Sequence, residues 1–274
     1  MEFKDLLASQ AALPSIPKVI ALLLSELGRD EPDLRKVSQL VSTDPTLTMR
    51  LLQIANSAQY QLSKKIGSVS EALALLGTNQ MRELAMAAAV AGAFRNVPGV
   101  DLKQFWRYSL DVAKVSRSLA GVVRQNQQAA FTCGLIHAVG ELAMHIGMPE
   151  EVAELDREVP PLDLRRAKAE RKQFGFCYAQ VGAGYARQWH FPEPIVDALE
   201  HQYEPFENNV YEPLAGVIHL ATWRARAKEA NLDDRALAVS FPGAVGEVLG
   251  LDIDMVLQQD PIDWTDQRPG RISL

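Results

Sequence analysis

Few side chains in this sequence are placed to do chemistry. Of the five histidines, His137 and His145 flank Glu141 at i, i+4 and i+8, which puts all of them on one broad face if the segment is a single helix. A zinc ion would draw two imidazoles and a carboxylate to within about 2 Å of one point. Residues at i and i+8 stand about 12 Å apart along a helix axis, too far to converge on it. His137 and Glu141 then read as an ordinary side-chain pair one turn apart. Cys133 and Cys177 form no CxxC, which argues against a disulfide framework or a zinc ribbon. Cys133 lies in an apolar run, the usual setting of an inert buried thiol. Gly182-Ala-Gly184 begins like a dinucleotide loop, but no third glycine follows at Arg187 and no strand precedes it, so close helix packing is the better reading. Neither a GxxxxGK[ST] phosphate loop nor a GxSxG nucleophile elbow occurs.

The elements that must position these residues read as helices throughout. Val19, Leu22, Leu23 and Leu27 recur at helical spacing after Pro14 and Pro17, and Leu34, Val37, Leu40 and Val41 repeat the pattern behind a capping Asp33. Asp44-Pro45 reads as an N-cap followed by proline at the first helical position. Ser68 and Glu71 fit a capping box whose helix stops at Gly77, and a longer helix follows from Asn79 to about Phe94. Further helices are expected over 102–125, 129–147, 162–173, 177–189, 193–203 and 211–229. No alternation of period two appears, so the fold class is all-α with two helical lobes. The Pro and Gly of Asn96-Val-Pro-Gly-Val-Asp101 mark a boundary. The expected division is an N-terminal helical lobe over 1–100, a second over 101–230, and short helices with an irregular tail over 231–274.

With 274 residues, 28 Lys plus Arg and 34 Asp plus Glu, the chain has a formal net charge of −6. An acidic balance disfavours non-specific nucleic-acid binding, which depends on cations meeting phosphates. The N-terminus, MEFKDLL, has no basic then apolar pattern, so no signal peptide is read. The stretch Leu84 to Phe94 is shorter than the roughly 20 apolar residues of a membrane span. A cytoplasmic protein without a membrane segment is expected.

Several ordered stretches together resemble the HDOD family, bacterial signalling domains related to the HD phosphohydrolases. They are Leu13-Pro-Ser-Ile-Pro17, Thr43-Asp-Pro-Thr-Leu-Thr-Met-Arg-Leu-Leu-Gln-Ile-Ala-Asn-Ser57, Ile66-Gly-Ser-Val-Ser-Glu-Ala-Leu-Ala-Leu-Leu-Gly77, Phe105-Trp-Arg-Tyr-Ser-Leu110 and Ala130-Phe-Thr-Cys-Gly-Leu-Ile-His-Ala-Val-Gly140. The resemblance runs from about Leu13 to Ala225. HD hydrolases hold a divalent cation with a histidine, a His-Asp pair and a later aspartate, ligands suited to water activation against a phosphate ester. Here Tyr108 stands at the first histidine and His137 is kept, but Ala138 replaces the adjacent aspartate. Thr222 replaces the last one, and His201-Gln202 is expected near the same cleft. The resemblance therefore implies a vestigial pocket at Tyr108, His137, Ala138, His201 and Thr222, with no metal, no cofactor and no catalysis. His137 is expected as a buried neutral imidazole satisfied by hydrogen bonds.

The implied function is a signal-transduction or regulatory module acting on protein partners in trans. Candidate contact residues are Asn56, Ser57, Gln59 and Tyr60. For Asn56 and Ser57 the alternative is a helix end, with asparagine in the left-handed conformation. For Tyr60 it is a core ring closing the lobe. A residual metal-dependent phosphohydrolase using His137, His201 and carboxylates such as Glu141 is the reading from another class. A nucleotide ligand in the vacated cleft is the third.

Overall fold

A computed structural model describes residues 2–8, 18–42, 47, 51, 54–55, 66, 68–93, 97–188, 191–206 and 212–258. Among these residues every regular element is a helix and no strand occurs. The elements are α1 (Phe3–Ala8), α2 (Lys18–Leu27), α3 (Leu34–Ser42), α4 (Val69–Ala93), α5 (Leu102–Val122), α6 (Gln127–Ile136), α7 (Val139–Gly147) and α8 (Pro149–Glu158). After them come α9 (Arg166–Phe174), α10 (Tyr178–Gln188), α11 (Glu193–His201), α12 (Pro213–Glu229), α13 (Asp234–Ser240), α14 (Gly243–Leu249) and α15 (Ile253–Gln258).

Local chemistry sets several of their ends. Asp33 accepts from the backbone N–H of Arg35 and Lys36 at the start of α3, and Asp101 does the same for Lys103 and Gln104 at the start of α5. These bonds satisfy donors that have no partner within the helix. Ser68 accepts from the Glu71 N–H at the start of α4. Gly77 interrupts α4 with φ 76° and ψ 172°, a conformation that a side chain opposes and glycine tolerates. The Asp44-Pro45 start falls outside the described residues.

The expected single helix over 129–147 is two, α6 and α7, separated by His137 and Ala138, the latter with φ −109° and ψ 13°. Neither residue at the break is glycine or proline, and the apolar periodicity passes through it. One local and one tertiary bond rearrange the backbone here. The Glu141 N–H goes to the Ala138 carbonyl, and the His137 carbonyl instead accepts from Gln202 Nε2 at 2.9 Å. Helix α8 was also not expected; Pro149 occupies its start, where a missing N–H costs nothing. Among the described residues Ala129–Gly147, not Leu84 to Phe94, is long and apolar enough to cross a membrane, and 78% of its apolar window is buried inside the protein.

The packing centres on α5 and α6, which lie along each other, with α12 across α5 and α6 and with α10 against α7 and α11. Helices α2, α3 and α4 pack together, and α4 meets α6. The N-terminal α1 packs on α10, where the Tyr185 hydroxyl donates to the Leu6 carbonyl. One continuous apolar cluster runs from Leu6 to Val256.

The tightest crossing is α7 on α10. A Cβ on Gly140 would stand 2.0 Å from the Tyr178 carbonyl oxygen and 2.7 Å from the Gly182 N, whereas a Cβ on Gly182 meets nothing nearer than 3.5 Å. The glycines of Gly182-Ala-Gly184 thus serve close packing, with Gly184 lying against Leu7.

Two carboxylates in this framework titrate late. Burial raises Glu83 on α4 to about 7 despite Arg117, and burial raises Asp111 on α5 to about 6 despite Lys114 and Arg107. A folded-state pKa above the unfolded value means stability present at low pH and lost as pH rises through the folded value. Glu83→Gln and Asp111→Asn should therefore raise the melting temperature at pH 8 and change it little at pH 4. Equal shifts at both pH values in a thermal titration would contradict this.

Candidate functional site

The break between α6 and α7 places His137 in the core, fully buried. Its Nδ1–H donates to the Gly134 carbonyl at 2.7 Å. That bond leaves Nε2 as an acceptor, and the Tyr108 hydroxyl donates to it at 3.0 Å. Tyr108 projects from the middle of α5, and its oxygen accepts from Arg226 Nε of α12 at 3.0 Å. A guanidinium has no acceptor and a carbonyl has no proton, so the chain Arg226 to Tyr108 to His137 to Gly134 has one direction. Burial pushes the His137 pKa down to about 3, with the Arg226 charge acting the same way. The imidazole is neutral at any physiological pH. Burial likewise holds the Tyr108 phenol above its ordinary value.

The other expected positions divide. Ala138 is buried beside His137 and offers only a methyl group. Thr222, one turn before Arg226 on α12, is largely buried, and its Oγ1 has no hydrogen-bond partner. His201 supplies none of the hydrogen bonds at this centre. Its neighbour Gln202 does: besides the His137 carbonyl, Nε2 donates to the Leu199 carbonyl at 2.9 Å, while the Gln202 carbonyl accepts from His219 Nδ1 at 2.8 Å. Asn56, Ser57, Gln59 and Tyr60 lie outside the described residues.

The expected pairing of His137 with Glu141 does not occur, because the break turns the two side chains apart. Glu141 instead faces two guanidinium groups, with Arg166 Nε 3.4 Å from Oε2 and Arg226 Nη2 3.7 Å from Oε1. Arg166, fully buried on α9, donates from Nε to Glu170 at 2.7 Å and from Nη1 to Asp156 at 2.6 Å and to the Val159 carbonyl at 2.7 Å. Glu170 also accepts the Tyr178 N–H at 2.7 Å. His145 meets Asp156 Oδ2 at 3.0 Å through Nε2 and the Glu141 carbonyl at 2.7 Å through Nδ1. Burial holds Glu141 well above its ordinary value, and Glu170 adds to this. Both Glu141 oxygens, Arg166 Nη2 and Arg226 Nη2 are buried without a hydrogen-bond partner.

Sequence reasoning placed Gln202 near the cleft beside His201, but it did not pick out Arg226, Arg166 or Glu170. Arg166 and Glu170 stand at i and i+4, a spacing that is usually a solvated pair. Arg226 falls in Arg224-Ala-Arg-Ala-Lys228, which reads as an exposed basic face. The signal that could have marked it is its position one turn after Thr222.

Could these side chains hold the divalent cation of an HD centre? His137 has both ring nitrogens engaged, Tyr108 is a neutral phenol, and Ala138 and Thr222 bring no carboxylate. Among the described residues no cluster of His, Cys, Asp or Glu is arranged to share an ion. A hard cation needs several oxygen donors with negative charge, and here a guanidinium already faces the centre. The donor set does not fit a metal. Burial pushes the Cys133 thiol well above its ordinary value and raises that of Cys177 to about 12, so neither is a ready nucleophile.

Comparison with known proteins agrees with this architecture. The crystal structure of a candidate phosphohydrolase from Shewanella amazonensis SB2B is similar at 30% identity, covering 93% of this chain and 94% of that one with a TM-score of 0.73. An HDOD domain protein from Geobacter sulfurreducens shares the fold at 23% identity, covering 89% of this chain and 87% of that one, with a TM-score of 0.67. An uncharacterised protein of Treponema pallidum (strain Nichols) is 24% identical over 222 residues, 78% of this chain. The chain spans less than half the length of the curated relatives it matches, 42% and 33% of them. The model of the HDOD domain matches residues 13–205. That span takes in α2 through α11, both the N-terminal helices and the segment carrying Tyr108 and His137, and the chain belongs to the HDOD domain family.

Proposed function

We propose that this chain is a cytoplasmic regulatory module that acts by binding protein partners rather than by hydrolysing a phosphate ester. The observation that supports this most is the commitment of both His137 nitrogens to Tyr108 and Gly134. Such an imidazole has no lone pair left for a metal and no proton to exchange with a substrate. General acid or base work would need a group titrating near the working pH, and His137 is held far below it. The description of the Shewanella relative favours a phosphohydrolase as the second reading.

Elemental analysis of the purified chain, with a panel of p-nitrophenyl phosphate, nucleoside triphosphates and cyclic dinucleotides, separates the two readings. The expected result is substoichiometric metal, no turnover and no binding of the nucleotides. About one divalent ion per chain, with turnover abolished in His137→Ala, would establish the hydrolase. Nucleotide binding without turnover, lost in Tyr108→Phe, would make the cleft a sensor.

The partner surface in this proposal is the N-terminal lobe around Asn56, Ser57, Gln59 and Tyr60. A tyrosine at an interface centre carries about 2 kcal/mol or more of binding. Tyr60→Ala should then weaken capture of a partner from source-cell lysate at an unchanged melting temperature. A drop of several degrees would place Tyr60 in the core instead. Capture that survives Tyr60→Ala and Gln59→Ala but fails in a folded Tyr108 or His137 variant would move the surface to the cleft.

A further inference from the structure

We propose that the Arg226 guanidinium is the resident cation of this centre, held in place by a guanidinium site built from four parts of the fold. The inference stands apart from the question of partners, because it concerns what occupies the core and not what the surface meets.

The first support is position. A helical side chain leans toward the N-terminus of its helix and covers the turn before its own Cα. Arg226 therefore lies over the turn of α12 that carries Thr222, the position matched to the last aspartate of the HD pattern. It reaches Tyr108, matched to the first histidine, and through Tyr108 the retained His137. Residues at three positions of the former ligand set are thus on or beside one guanidinium.

The second support is the set of partners, which leaves Nη2 with an ion contact but no hydrogen bond. Arg226 is 3% exposed. Its Nε donates to the Tyr108 hydroxyl of α5, and its Nη1 donates at 3.0 Å to the Asp163 carbonyl in the loop before α9. Its Nη2 faces the Glu141 carboxylate of α7 at 3.7 Å, and its Cζ stands 5.3 Å from the Tyr178 ring centre of α10. A hydroxyl, a carbonyl, a carboxylate and an aromatic ring are the groups a planar cation uses. Unlike lysine, arginine does not shed its proton on burial, so the charge is permanent.

The third support is what charge is missing. A buried carboxylate such as Glu141 is costly without a cation. Without a carboxylate at 138 or 222 the centre lacks the anionic ligands of a divalent ion, and one fixed positive charge, with Arg166, faces Glu141. The same arrangement explains why His137 is kept: its Nε2 receives the Tyr108 proton and so orients the phenol oxygen toward Arg226.

Chemical rescue in the full chain tests the assignment. Arg226→Ala should lower the melting temperature by several degrees. Millimolar methylguanidinium should restore at least half of that loss and leave the parent protein unmoved, while ammonium and sodium chloride at the same ionic strength restore none. Restoration by the salts to the same extent, or none by methylguanidinium in a folded variant, would overturn the built site.

If Arg226→Ala does not fold, the parent protein still answers by nuclear magnetic resonance. Arg226 should give a slowly exchanging Nε–H signal, assigned by its loss in Arg226→Lys and shifted in Tyr108→Phe. One equivalent of manganese chloride should neither shift nor broaden it. Broadening at one equivalent, or a rapidly exchanging signal, would show that a metal or water holds the centre.

Discussion

Arg166→Met should lower the melting temperature by about 10 °C, corresponding to ~3–5 kcal/mol for breaking a buried ion network from one side. Arg166 is bonded to Glu170, Asp156 and the Val159 carbonyl and stands 3.4 Å from Glu141. Its removal leaves Glu170 and Glu141, both inside the core, with Arg226 as the remaining nearby cation. The partner substitution should relieve part of the loss. Glu170→Gln in the Arg166→Met background should raise the melting temperature, although Glu170→Gln alone lowers it, since the two residues are coupled. Additive effects in this cycle, or a loss under about 1 kcal/mol from Arg166→Met, would mean that the network contributes little.

Among the described glycines Gly140→Ala should be the most damaging, while Gly182→Ala at the same helix crossing should be tolerated. The added Cβ at 140 falls 2.0 Å from a backbone oxygen, which yields only if α7 and α10 separate. Overpacking of a core costs about 1–3 kcal/mol when side chains give way, and here no side chain is available to move. A loss above about 3 kcal/mol, or insoluble protein, is expected. At 182 the nearest atom is 3.5 Å away, an ordinary contact, and the methyl should change stability by less than about 1 kcal/mol. Parallel denaturant curves for the two variants decide the matter, and equal midpoints would contradict the crossing.

The two experiments address one arrangement from different sides. Close approach of α7 and α10 brings Glu141 and Tyr178 to Arg226, and α9 supplies Arg166 and Glu170 to the same network. Disturbing the crossing should therefore also disturb the guanidinium site, whereas Glu83→Gln and Asp111→Asn should leave it intact.

Much of this protein was legible before any coordinate. The helical spacing of Val19, Leu23 and Leu27, the caps at Asp33 and Ser68 and the stop at Gly77 are local matters, settled within one or two turns by unsatisfied donors and by glycine's freedom. The same holds for the family, because its ordered motifs are linear in the chain. The resemblance also implied that Ala138 and Thr222 stand where HD hydrolases carry aspartates, and the absence of a carboxylate at either position is visible in the sequence itself.

What the core did with that loss was decided only in three dimensions. The bend falls at His137 and Ala138, neither of them glycine or proline, and there Gln202, 65 positions away, takes a carbonyl that a continuous helix would have used. Arg226 reads as one more cation in a basic stretch until α5, α7 and α10 close around it. Arg166 and Glu170 read as a surface pair until α9 is buried. Helical periodicity reports which face of one segment is apolar, so it identifies core positions reliably. A buried charge is held by partners from several segments, and its environment exists only once those segments have packed together.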